Sequence, residues 1–137
     1  MKIKAIATAF TSTFLLLVAP HVSVAQNASL DQQYLDFLYD SLWEYNRLAY
    51  LTATEELTSD EQIDYARSFC ASLDAGNTVD SFLSELYSGI DPNTMSASEQ
   101  EAVGVYWGVM MYGSTLYYCP EYRALVEQLG SSANQKF

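Results

Sequence analysis

Between Ala102 and Pro120 the chain reads AVGVYWGVMMYGSTLYYCP, its longest uncharged run after the N-terminal stretch. Ahead of it, Ser96 and Glu99 have the spacing of a capping box, in which each side chain satisfies an orphan N–H of the other residue. The pattern predicts a long helix behind Ser96 that ends at Tyr117-Tyr118-Cys119-Pro120. Because it is apolar on every side, it calls for full burial in protein or in lipid. The run is just long enough to cross a bilayer. Against a membrane span stand three interior glycines, Gly104, Gly108 and Gly113, flanking Glu101 and Glu121 in place of basic residues, and a shortage of leucine and isoleucine. In a soluble bundle Gly104 and Gly108, four residues apart, let a neighbouring helix cross tightly. We expect a central helix with the other elements packed on it.

Upstream, Leu30, Tyr34, Leu38, Leu42, Tyr45 and Ala49 recur at three- and four-residue steps and predict one helix from Ser29 to about Leu51. Phe37, Tyr39, Trp43 and Tyr50 do not all fit this stripe. Aromatics usually serve packing, so we read a wide buried face, with an exposed aromatic patch as the alternative. Thr52 to Glu56 reads as a polar connection. A second helix begins near Thr58 or Ser59, where Thr58 and Glu61 form a capping box, and Ile63, Ala66, Cys70 and Leu73 line its inner face beside Phe69. Gly76 supplies its C-terminal cap. Asn77 or Thr78 caps a third, short helix carrying Val79, Phe82, Leu83, Leu86 and Tyr87, which Gly89 closes. Ile90 to Thr94 is a turn. Pro120 opens a last helix to Leu129, with Leu125, Val126 and Leu129 facing inward, and Gly130 stops it.

The expected fold is therefore all-α, a small bundle of about five helices. It occupies residues 26–130 as a single domain, followed by a flexible tail over 131–137. Residues 1–25 read as a secretory signal peptide: Lys2 and Lys4, an apolar stretch centred on Phe14 to Val18, Pro20, and small residues Ser23 and Ala25 before Gln26. The expected location is periplasmic or extracellular.

Cleavage there leaves 112 of the 137 residues, with Arg47, Arg67, Arg123 and Lys136 as the basic residues against seventeen acidic ones. A net charge near −13 repels nucleic acid and anionic lipid, so neither is an expected partner. His21 lies in the leader, so the mature chain has no histidine, and Ser-His, Cys-His and His-metal chemistry are excluded. Cys70 and Cys119 are its two cysteines. In an exported protein they read as one intramolecular disulfide, with a free-thiol or redox role as the lesser alternative. The long loop they close would make the bond worth about 4 kcal/mol in the chain-entropy model.

The run Phe69-Cys70-Ala71-Ser72-Leu73-Asp74-Ala75-Gly76, then a short helix, then a long small-residue helix ending in Tyr118-Cys119-Pro120, resembles the exported actinobacterial family catalogued as domain of unknown function 732. The resemblance covers roughly Asp31 to Pro120 and implies a small disulfide-linked helical domain. It carries over no catalytic residues. The many tyrosines and the helix after Pro120 depart from the family's pattern.

Three functions are open to such a chain. The first is a non-catalytic module that binds a protein, an envelope component or a small apolar ligand. Eleven tyrosines and two tryptophans favour it, since an apolar body with a polar tip suits interfaces, and Tyr39, Trp43 and Tyr50 are the candidate patch. The second is a carrier of haem, a metal or a small apolar ligand, using tyrosine with Met110 or Met111. The third is a carboxylate enzyme drawing on Glu55-Glu56, Asp60-Glu61 or Glu99-Glu101, which needs two carboxylates facing each other across a cleft. No catalytic residue, metal ligand or cofactor is assigned, and the expected partner is a protein, an envelope component or a small apolar ligand.

Overall fold

The computed structural model describes residues 19–134. Within them lie six α-helices and no strand: α1 Ala19–Tyr45, α2 Arg47–Glu55, α3 Ser59–Asp74, α4 Val79–Tyr87, α5 Ala97–Tyr117 and α6 Arg123–Asn134. Short 3-10 turns at Pro92–Thr94 and Pro120–Tyr122 flank α5. The lysines and apolar centre of the expected leader fall outside the described residues, as do Gln135 to Phe137. The expected cleavage position, after Ala25, falls within α1.

The fold is all-α and α5 is its axis, touching α1, α2, α3 and α6. Its inner face buries Ala102, Tyr106, Trp107, Met110, Gly113, Ser114 and Thr115. Against it lie Tyr34, Leu38 and Leu42 of α1, Ala49 and Ala53 of α2, and Ile63, Ala66 and Phe69 of α3, all buried. Each fully buried leucine or phenylalanine among them stabilises the fold by roughly 1.5–3 kcal/mol.

The expectation of burial all round α5 is not met. Gly104 and Gly108 are exposed, and Val105 and Val109 are half-buried. The glycines leave that side with little apolar surface to hide. A Cβ at either glycine would meet nothing within 4 Å, whereas one at Gly113 would stand 2.9 Å from Phe37 Cε1 and 3.1 Å from Tyr34 Cε2. The tight crossing of α1 over α5 is thus at Gly113. No helix among the described residues is long and apolar enough to cross a membrane.

The expected first helix is two helices. Asn46 adopts an extended conformation, with φ −155° and ψ 109°. Its side chain accepts from Ala49 N–H at 3.0 Å and so caps α2. The break turns Tyr45 out to solvent, 71% exposed, although it belongs to the apolar stripe. In place of the polar connection expected over Thr52 to Glu56, α2 continues to Glu55. The α3 start is as predicted, with both arms of the Thr58–Glu61 capping box formed. So is the α3 end, where Gly76 takes a φ of 86°. A residue without a Cβ adopts that conformation freely. Thr78 caps α4, and the Ser96–Glu99 box opens α5. Among the described side chains of α6 only Val126 is half-buried; Leu125 and Leu129, expected inward, are 40% and 41% exposed. The helix also runs through Gly130 to Asn134.

Cys70 and Cys119 are joined in a disulfide with Cα atoms 5.8 Å apart, and both are buried. The bond ties α3 to the end of α5 across 49 residues of sequence. Beside it, Arg67 Nη2 donates to both carboxylate oxygens of Asp31, at 2.7 and 2.9 Å, and Tyr118 Oη donates to Asp31 Oδ1 at 2.6 Å. One carboxylate on α1 is thereby fastened to α3 and α5. Burial first, and then the bond to Asp31, pushes the Tyr118 hydroxyl well above the usual tyrosine range.

Candidate functional site

Among the described residues, two places combine aromatic side chains with charged ones. The first is the corner where α1 meets α2. Trp43 and Arg47 are four residues apart and stay neighbours across the Asn46 break, with the guanidinium carbon 3.1 Å from the indole centroid. Tyr50 stands edge-on to Trp43 at 5.0 Å and to Tyr39 at 6.4 Å. The three aromatics singled out in the sequence are therefore one cluster, with Tyr39 and Tyr50 packed against the core and Trp43 outside it. Trp43 is 51% exposed, and Tyr39 and Tyr50 are half-buried. Beneath them Tyr39 Oη accepts from Gln62 Nε2 at 3.0 Å, and the same amide donates to the Ala53 carbonyl at 3.0 Å. A wholly buried glutamine of α3 thus supports the corner from below.

The second place is a cavity of about 320 Å³. Leu48, Thr52 and Glu56 form one row along α2, since residues four apart share a helix face. Opposite, α5 presents a row of the same kind, Glu99, Val103 and Trp107, with Tyr106 beside it, and α3 contributes Tyr65. Leu57 and the pair Ile90 and Met95, from the segment joining α4 to α5, complete the wall. Gln100 Nε2 holds that segment by donating to the Pro92 carbonyl at 2.9 Å and the Met95 carbonyl at 3.2 Å. In the aromatic wall, Trp107 packs edge-on against Tyr65 at 5.3 Å and Tyr106 at 4.9 Å.

Tyr106 and Trp107 are both more than nine-tenths buried, and neither the Tyr106 hydroxyl nor the Trp107 indole N–H has a hydrogen-bond partner among the described residues. Such orphans are uncommon in protein interiors and call for an explanation. Burial, and then the neighbouring Tyr65, Tyr39 and Glu61, pushes the Tyr106 hydroxyl well above the usual tyrosine range, so it stays neutral and able to donate.

The carboxylates considered from sequence fare unevenly. Glu61 and Glu99 serve capping boxes, where Ser96 N–H donates to Glu99 Oε2 at 2.7 Å and Thr58 N–H to Glu61 Oε2 at 2.8 Å. These bonds, with those from the Ser96 and Thr58 hydroxyls, hold both carboxyls below the usual carboxylate range. Glu56 and Glu99 do line the same cavity. A general acid, however, needs a carboxyl whose affinity for its proton is raised, the reverse of what Glu99 has. Glu55, Asp60 and Glu101 are exposed. Of the methionines considered for haem, Met110 is enclosed in the core, its sulfur 3.5 Å from Ser114 Oγ, and Met111 is half-buried. No group of three metal-ligating side chains occurs among the described residues. Cys70 and Cys119 are consumed by the disulfide.

Apart from Glu56 and Glu99, the cavity residues were not singled out as a site in the sequence. Their signal was there, in the four-residue steps Leu48-Thr52-Glu56 and Glu99-Val103-Trp107, but the first row is a row only if α2 extends through Thr52. Comparisons with family models, curated proteins and solved structures returned no match to this chain.

Proposed function

We propose that the chain is an exported, non-catalytic binding module that holds a small, largely apolar molecule in the cavity between α2, α3 and α5. The observation that carries this reading is the cavity itself, with its volume of about 320 Å³. That lies at the lower end of the range of ligand pockets, about 300–1000 Å³. Its wall is aliphatic and aromatic with a few polar groups, the composition such pockets have. Export rests on the leader-like residues 1–25, and the resemblance carried by Cys70, Leu73, Gly76 and Tyr118-Cys119-Pro120 supports a disulfide-bonded extracytoplasmic domain. Titration of the purified protein with the neutral fluorophore N-phenyl-1-naphthylamine tests the site. Saturation at one site per chain is expected, with loss of binding in Val103→Phe, which fills the cavity while the helical circular dichroism is retained. Non-saturable binding, or equal binding by that variant, would refute it.

One observation favours a second reading, contact with a partner protein through the α1–α2 corner. Trp43, Arg47 and Tyr50 are the residue types that dominate interface energies, and here they form one cluster with Trp43 half open to solvent.

A further inference from the structure

The charged side chains that line the cavity are both carboxylates, Glu56 and Glu99, and among the described residues no lysine or arginine joins them. Glu99 is kept ionised by its capping bonds. Glu56, at the C-terminal end of α2, makes no ion pair among the described residues. The rest of the wall includes three aromatic rings, Tyr65, Tyr106 and Trp107, whose faces attract cations. The whole chain carries a formal charge of −11, which adds a negative potential at any cleft. An anionic ligand would be repelled by both carboxylates.

We infer that the cavity selects a small amphipathic cation, an apolar or aromatic body seated against Tyr65, Tyr106 and Trp107 with an ammonium head at Glu56 and Glu99. This rests on the reading of the cavity as a ligand site, and the experiment separates the two. Three probes of similar size, 2-phenylethylamine, 2-phenylethanol and 3-phenylpropanoate, are titrated calorimetrically into the full-length protein at low ionic strength. The amine binds about tenfold more tightly than the alcohol and the acid binds weakest. In the Glu56→Gln/Glu99→Gln double variant the amine falls to the affinity of the alcohol, while the alcohol is unchanged. Glutamine at position 99 still accepts the Ser96 N–H, so the α5 cap survives. Raising the salt concentration weakens the amine alone, since the head group is near solvent. Equal binding of amine and alcohol, or a preference that persists in the double variant, overturns the charge selection and leaves the cavity reading standing. Failure of all three to bind, or binding untouched by Val103→Phe, overturns both.

Discussion

The tyrosines show most clearly how position sets chemistry in this chain. Tyr34 is wholly enclosed, its hydroxyl donating to the Gln62 carbonyl at 3.4 Å. Burial raises its ionisation above the ordinary value of 10.0, as it does for Tyr106. Each therefore keeps its proton in the folded state at a pH where the unfolded chain has lost it. The stability this confers is complete below pH 10.0 and declines as the pH rises above it. The decline is about 1.4 kcal/mol per pH unit for each such tyrosine. Alkaline titration followed by tyrosinate absorbance and circular dichroism will show two steps. Exposed tyrosines ionise first with the helices intact, and the buried ones ionise together with the loss of helical signal. Tyr106→Phe will make the unfolding limb shallower by one proton. A single step near pH 10.0 with helices intact would contradict the burial described here. Tyr39 and Tyr50 differ in kind, half-buried, packed against the core and clustered with Trp43.

At the scale of the helix, the glycines of α5 make the sharpest test of how the elements meet. Ala at Gly104 or Gly108 enters open space. Each change removes a helix-interior glycine and so stabilises by about 0.5–1 kcal/mol. Ala at Gly113 drives a Cβ into the Phe37 and Tyr34 rings. That costs about 1–3 kcal/mol, which exceeds the same gain. Denaturant melts of the three variants will place Gly113→Ala below the parent and the other two above it. Similar shifts for all three would mean that α1 does not cross α5 at Gly113. Sequence reading erred on this point because the Gly104/Gly108 spacing says that a close approach is possible, and nothing local says whether a neighbour arrives. Helix starts were legible where chemistry is local: Thr58–Glu61, Ser96–Glu99 and Gly76 mark boundaries close to themselves in sequence. The Asn46 break was hidden because the stripe from Leu30 to Ala49 continues through it in register. Leu125 and Leu129 have the helical period of a buried face, but α6 follows the end of α5 with Val126 half-buried and both leucines exposed. The aromatic trio was legible as residues, but not how its burial divides between a half-open Trp43 and half-buried Tyr39 and Tyr50, and the cavity became visible only once α2 and α5 stood opposite each other.

The molecule as a whole is an acidic helical domain gathered around α5, with the Cys70–Cys119 bond and the Asp31–Arg67–Tyr118 network closing one end. Elsewhere α2, α3 and the segment carrying Ile90 and Met95 meet α5 around a space they do not fill. We read that space as a ligand pocket, since its wall is aliphatic and aromatic with a few polar groups. Backbone and indole resonances of the isotopically labelled protein, followed by NMR as N-phenyl-1-naphthylamine is added, test that claim most directly. The account predicts that Leu48, Leu57, Ile90, Met95, Val103 and the Trp107 indole shift together along one saturating curve while Trp43, Arg47 and Tyr50 stay in place. Shifts confined to Trp43, Arg47 and Tyr50 would contradict it and leave the α1–α2 corner as the working surface, and shifts spread over Leu125 and Leu129 without saturation would contradict it as well.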